Sequence, residues 1–234
     1  MNISLKGVSV TIGMPMYRAV PPKTLYSLVN TVIACGSMGV VCNVSTSDST
    51  ICEWARDGVL NSFLEGAHQK LFWIDSDMVW APDDFVRMLA LSTVHDVVAA
   101  AYPLRNIQPN TYQVGHDKNP ETDRFGLIKV NALGLGFCVI DRKVAEAVSA
   151  KAEPASNRLT GNTTPAVFRV GVVNGERTGE DVLFFNDVRA AGFDVWLDPS
   201  IELGHVGEHE WRGRFADTIT KPKETVSDGN EIGW

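Results

Sequence analysis

Nowhere in these 234 residues does an apolar run approach the ~20 residues that a bilayer-spanning helix needs, so no membrane helix is expected. The opening MNISLKGVSVTIGM lacks the charged-then-apolar layout of a secretion signal and reads as a strand, which makes cytoplasmic residence the expectation. Cysteine is scarce. Cys35, Cys42, Cys52 and Cys138 share no C-x-x-C spacing, so neither a zinc framework nor a disulfide scaffold is indicated, and all four are expected as buried thiols. Basic residues are outnumbered, 21 Lys and Arg against 28 Asp and Glu. A net charge of −7 argues against a protein that coats nucleic acid. No internal repeat or low-complexity tract is present. The rest, 44% apolar and 21% charged residues, is the composition of a globular domain with one substantial core.

What is there is organised around residues 70–80, KLFWIDSDMVW. Leu71-Phe72-Trp73-Ile74 is an unbroken apolar run, as in a strand covered on both faces within a parallel sheet. It stops at Asp75-Ser76-Asp77. Two carboxylates two residues apart at the C-terminal end of such a strand should point the same way, into the crevice where open α/β sheets bind ligands. Unpaired, they would repel, and a bound cation is a natural partner. They also suit a turn that caps the next helix, and the triplet alone does not decide.

Around this stretch, strand and helix alternate. Residues 7–13 (GVSVTIG) read as a first strand ended by Pro15, which cannot continue a central ladder. After Pro21-Pro22 a helix is expected with Leu25, Leu28, Val29, Val32 and Ile33 on its buried face. Residues 40–44 form a second strand. Residues 51–67 form a helix lined by Ala55, Val59, Leu60, Phe63 and Leu64, with Arg56 on the same stripe. An arginine there either snorkels to the surface or needs an anionic partner. Pro82-Asp83-Asp84 opens a further helix and residues 96–101 a fourth strand, so the first half predicts a doubly wound sheet with right-handed crossovers. Residues 125–132 and 136–140 read as strands on either side of Gly134-Leu135-Gly136. That segment lacks the third glycine of a dinucleotide fingerprint and is expected as a flexible turn bordering the site. Thr178-Gly179-Glu180-Asp181 opens a last helix carrying Val182, Phe185, Val188 and Ala191, followed by a strand and His205. Thr178 and Asp181 also satisfy a capping box, and a lone His205 would ordinarily be a loop histidine. The expected organisation is a single domain over residues 1–210 and a polar arm over 211–234.

Taken in order, the Pro15–Tyr17 strand end, Arg56, Asp75-Ser76-Asp77, Glu180-Asp181 and His205 resemble the GT-A fold of nucleotide-sugar glycosyltransferases, of the family-two-like kind. The resemblance runs from about Val8 to Gly207. It is carried by ARDGVLNSFLEGAHQKLFWIDSDMVWAPDDF and GEDVLFFNDVRAAGFDVWLDPSIELGHVG. It implies an α/β fold with a mostly parallel, Rossmann-like central sheet, helices on both faces and a small antiparallel part. By the same likeness Pro15, Met16 and Tyr17 would meet the nucleotide base, and Arg56, Asp75 and Ser76 would contact the nucleotide-sugar. Asp75, Asp77 and His205 would hold Mn2+ or Mg2+. Asp181 would be the catalytic base, with Glu180 beside it.

The implied reaction moves a sugar from a nucleotide donor, a UDP-sugar first among them, to an acceptor hydroxyl, with inversion. A departing diphosphate gathers negative charge that a divalent ion neutralises, and the imidazole in the set favours manganese. The acceptor hydroxyl turns more acidic as its bond forms, so a carboxylate can take its proton. A processive polymerase is not implied, since the aromatic acceptor motif and following membrane helices are both lacking. Two alternatives are carried. One is sugar transfer to hydroxymethylated bases of phage DNA, along a groove of Lys118, Arg124, Lys129, Arg142 and Lys143. The other is a sugar-phosphate nucleotidyltransferase, against which stands the absence of glycine between Met14 and Pro22. A non-enzymatic sugar- or nucleotide-binding module ranks last, having little need of Asp181.

Overall fold

The computed structural model of the chain describes residues 4–17, 19–105, 111–156 and 161–220. The first half runs β1 (Ser9–Met16), α1 (Pro22–Ser37), β2 (Val41–Asp48), α2 (Cys52–Glu65), β3 (Lys70–Ile74), β4 (Met78–Val79), α3 (Pro82–Leu91) and β5 (Val97–Ala99). Then come β6 (Val114–Gly115), β7 (Ile128–Val130), β8 (Ala132–Leu133), β9 (Phe137–Asp141), α4 (Arg142–Ser149), β10 (Glu153–Ser156) and β11 (Thr163–Ala166). The chain closes with β12 (Gly171–Val173), β13 (Glu176–Thr178), α5 (Glu180–Ala190), β14 (Val195–Leu197), β15 (Glu202–Val206), β16 (Glu210–Arg214) and α6 (Ala216–Thr220).

Seven strands form the central sheet in the order β2-β1-β3-β9-β5-β14-β7. β2, β1 and β3 are mutually parallel, as are β5 and β14, while β9 and β7 run antiparallel to their neighbours. β9, expected only as a strand, inserts between β3 and β5. Alternation along β3 builds two cores. Leu71 and Trp73 pack with α2, α4 and α5 on one face, and Phe72 and Ile74 with α1 and α3 on the other. A separate sheet, β16-β15-β4, stands at the C-terminal edge. Residues 211–214, expected in a polar arm, are therefore strand, and residues 216–220 are helix. Residues 221–234, including Trp234, lie outside the described residues. Among the described residues no helix is long and apolar enough to cross a membrane.

Three local expectations are corrected. Pro15 lies inside β1, opposite Ser47 of β2. Val8 and Met16 offer their carbonyls to the β2 side and Ser9 offers its own to the β3 side, so the missing N–H of Pro15 falls towards β3. The β1–β3 ladder has already ended there at Gly13 opposite Trp73, so no hydrogen bond is lost.

Helix α1 is turned the other way from its apolar pattern. Thr24, Ser27, Thr31 and Cys35 are buried, while Leu25, Val29, Val32 and Ile33 face out. Buried Trp80 is the reason. Its indole Nε1 donates to Thr31 Oγ1 at 2.8 Å, its amide donates to Ser27 Oγ at 3.2 Å, and its carbonyl accepts from that hydroxyl at 2.8 Å. Leaving those groups unpaired would cost about 1–3 kcal/mol each, comparable with the burial forgone by the half-exposed aliphatic side chains. Of the cysteines only Cys35 and Cys138 are buried; Cys52 is exposed and its Sγ donates to Glu180 Oε1 at 3.5 Å.

Candidate active site

The strands β1, β3 and β5 point their C-terminal ends at one cleft of ≈ 1680 Å³. β1 delivers Pro15, Met16 and Tyr17, and the turn after β3 delivers Asp75, Ser76 and Asp77. α2 contributes Arg56, the head of α5 contributes Glu180 and Asp181, and β15 contributes His205. All ten residues singled out in the sequence line its wall. Tyr102 and Arg105, beyond the end of β5, line it too and were not singled out. The signal for them was the one applied to Asp75: polar residues directly after a buried strand.

Arg56 is buried at 2% exposure, so it is no snorkelling side chain. Its Nη2 lies 3.0 Å from Asp75 Oδ1, and its Nε lies 3.5 Å from Glu180 Oε1. Trp73 and Phe168, packed edge to face on each other, both lie against the guanidinium, each centroid 5.9 Å from Cζ. Even so, Nε and Nη1 are buried with no hydrogen-bond partner. Burial pushes the Asp75 carboxyl above the ordinary carboxylate range despite Arg56, and the charges of Asp77 and Asp181 push the same way. Glu180 is likewise raised, first by burial and then by the charge of Asp181.

Gly134 and Gly136, expected as a flexible turn, are there for space. A Cβ on Gly134 would collide with Tyr102 Oη, and one on Gly136 would meet Asp75 Oδ2 at 2.7 Å and Tyr102 Cε1 at 2.9 Å. The Gly136 carbonyl also accepts from the Asp75 amide at 3.0 Å, which fixes the end of β3.

Asp75 and Asp77 do not point the same way. The chain turns between them, with Met78 N donating to Asp75 O at 3.1 Å, so the alternation of an extended strand no longer applies. Asp75 reaches Arg56. Asp77 Oδ2 lies 2.9 Å from Arg105 Nη1 and 3.6 Å from His205 Nε2. Asp75, expected as a metal ligand, is thus committed to Arg56, and among the described residues no three acidic, His or Cys side chains form a ready cage.

A two-residue half-site does fit a divalent cation. His205 Nδ1 lies 3.0 Å from the Pro103 carbonyl, which only accepts, so Nδ1 carries the proton. Nε2 then turns its lone pair towards a carboxylate, an arrangement that calls for positive charge between them: a proton on the ring or a metal ion. Against the upward push of burial, the His205 ring and the Arg105 guanidinium hold the Asp77 carboxyl below its usual range. β4 pairs with β15, placing Met78 opposite His205, and Val206 N donates to Asp77 O at 2.8 Å, so backbone hydrogen bonds hold the two together.

At the head of α5 the capping alternative is not realised. The N-cap is Gly179 with no side-chain cap, and Thr178 Oγ1 donates to Glu176 O at 3.2 Å. Asp181 Oδ2 instead accepts from Leu135 N at 3.3 Å, across the cleft floor.

No family model matches the sequence, and no curated protein matches it. Among solved structures, A197 from STIV has a TM-score of 0.55 and 21% identity, over 86% of this chain and 86% of that one. GalNAc-T7, solved with UDP, GalNAc and Mn2+, has a TM-score of 0.49 and 10% identity, over 88% of this chain and 44% of that one. The fold is of the GT-A kind.

On this GT-A scaffold four of the five basic residues expected to line a DNA groove are already engaged within the protein. Arg142 donates to the carbonyls of Phe63, Leu64, Gly66 and His68. Lys129 pairs with Glu121 and Asp194, Lys143 with Asp96, and Arg124 lies over the Phe125 ring. Of the tryptophans, Trp80 and Trp196 are buried, and Trp211 lines the cleft beside Gly207.

Proposed function

We propose that this cleft transfers a sugar from a nucleoside diphosphate donor, a UDP-sugar in the first instance, to an acceptor hydroxyl with inversion, assisted by Mn2+ or Mg2+. One observation carries the reading: two acidic pairs, Asp75 with Asp77 and Glu180 with Asp181, line a single cleft with a buried arginine held between Asp75 and Glu180. A nucleoside diphosphate answers what that arrangement lacks. Its anionic oxygens suit a wall that carries the Arg56 charge, whose Nε and Nη1 find no hydrogen-bond partner within the protein. Tyr17, at the end of β1, offers a ring for the base, with Pro15 and Met16 as the wall behind it and Ser76 as a polar contact.

Asp77 and His205 are the residues that would hold the cation. When bound, that ion supplies charge neutralisation for the departing diphosphate. Arg105, already on Asp77, adds a second positive group at the same end. Asp181 takes the proton of the attacking hydroxyl, and its hydrogen bond from Leu135 N keeps the carboxylate from rotating away. Glu180, pinned between Arg56 and Cys52, keeps its own carboxylate off the acceptor side.

Calorimetry of UDP and UDP-sugars against the chain, with and without Mn2+, tests the donor side; no binding in either condition removes the reading. A thermal-shift screen of nucleotide sugars identifies the donor, since ligand at 100 times its Kd adds about 2.7 kcal/mol of stability. Asp181→Asn should keep donor binding and lose about 10²–10⁴-fold in transfer. Full activity in that variant would take the base role from Asp181.

A further inference from the structure

We propose that α1 and β2 form the contact face of a homodimer. The outward stripe of α1 carries Leu25, Tyr26, Val29, Val32 and Ile33, with Tyr26 at 73% and Ile33 at 65% exposure. Beside it β2 is the edge of the sheet, paired with β1 on one side only. Val44, opposite Ile12 in the ladder, lies on the same sheet face as the α1 core and is also exposed. Together these six residues leave on the order of 500 Å² open, at the size where a surface patch marks an interaction site. A stable interface needs roughly 800 Å² per partner, so the dimer must also engage the open β2 edge beside the stripe.

The occupant follows from charge and symmetry. In a chain with 21% charged residues, α1 holds one, Lys23, already paired with Glu210, and β2 holds one, Asp48, at its last position. Depletion of charge is the compositional mark of an interface core. β2 also lacks the lysines and prolines by which open edges protect themselves. A two-fold axis normal to the sheet sets β2 antiparallel to its copy and brings both α1 helices to the same face, apolar stripe against apolar stripe. The patch is then its own complement, as an isologous dimer requires. A bilayer surface suits it less, since a net charge of −7 disfavours approach to anionic headgroups.

Sedimentation equilibrium of the full chain over roughly 1–100 µM decides the matter. The wild type should run at twice 25.6 kDa. Ile33→Lys and Val44→Lys, each with an unchanged circular dichroism spectrum, should dissociate about a hundredfold more readily, because each forces a charge into the seam of both protomers. A wild-type monomer across that range overturns the proposal, as does a dimer that persists in both variants. Co-sedimentation of a monomeric wild type with phosphatidylcholine vesicles would overturn it in favour of a membrane.

Discussion

Replacing Arg56 by methionine removes one charge from the middle of the cleft and keeps most of the volume. The guanidinium lies 3.0 Å from Asp75 and 3.5 Å from Glu180 with almost no access to water. At an effective dielectric constant of ~20 the nearer contact alone amounts to about 5 kcal/mol of attraction, most of it offset by desolvation. What the variant loses is the cost of stranding the acids, about 3–5 kcal/mol, or about 6–20 °C in Tm for a chain of this size. The loss depends on pH. Asp75 already has a folded-state pKa above its unfolded value, so the folded form binds the extra proton and its stability rises as pH falls through the raised value. Without Arg56 that pKa climbs further, and acid relieves the stranded charge. Thermal melts of Arg56→Met at about pH 5 and about pH 8 should therefore show the smaller deficit at the lower pH. An equal deficit at both, or none at either, would refute the claim that Arg56 holds the acids in check.

Arg105 and a divalent ion contend for the same Asp77 oxygen, so Arg105→Ala should tighten Mn2+ binding in the absence of nucleotide by about fivefold, read from the free-ion signal in electron paramagnetic resonance. Asp57 and Asp84 are each pushed up to about 6, chiefly by burial, so the folded state binds more protons than the unfolded between about pH 4 and 6, and stability should fall as pH rises through that window. Asp84→Asn should flatten part of that slope in urea melts, gaining stability at about pH 8 and little at about pH 4. Gly136→Ala should cost about 1–3 kcal/mol and weaken donor binding, since its methyl group displaces Asp75 and Tyr102; a donor Kd equal to wild type would show that the pair has room to spare.

The sequence carried the strand–helix order of the first half because each element there is written in local periodicity: β3 as an unbroken apolar run, α2 as a stripe. It also carried the residues of the cleft, since polar groups after a buried strand have one place to go in an open α/β sheet. What it did not carry depends on partners far along the chain. α1 turned its hydroxyl face inward because Trp80, more than 40 residues later, needed those hydroxyls. The direction of β9 and its place between β3 and β5 are set by pairing, on which periodicity is silent. Asp75 and Asp77 diverge because the backbone between them is a turn, and spacing alone assumes a strand. Gly134 and Gly136 read as punctuation until Tyr102 was seen filling the space they leave.

The stitching of β4 to β15 has a consequence for the order in which this molecule comes into being. Asp77 and His205 leave the ribosome about 130 residues apart, on the order of ten seconds at ordinary elongation rates. Until then the two residues of β4 have no edge to lie against, since β15 is their only partner in the sheet among the described residues. The nascent chain can assemble β1 to β3 early, yet Asp77 meets His205 only with the final hairpin, so the proposed cation half-site is the last part of the cleft to be completed.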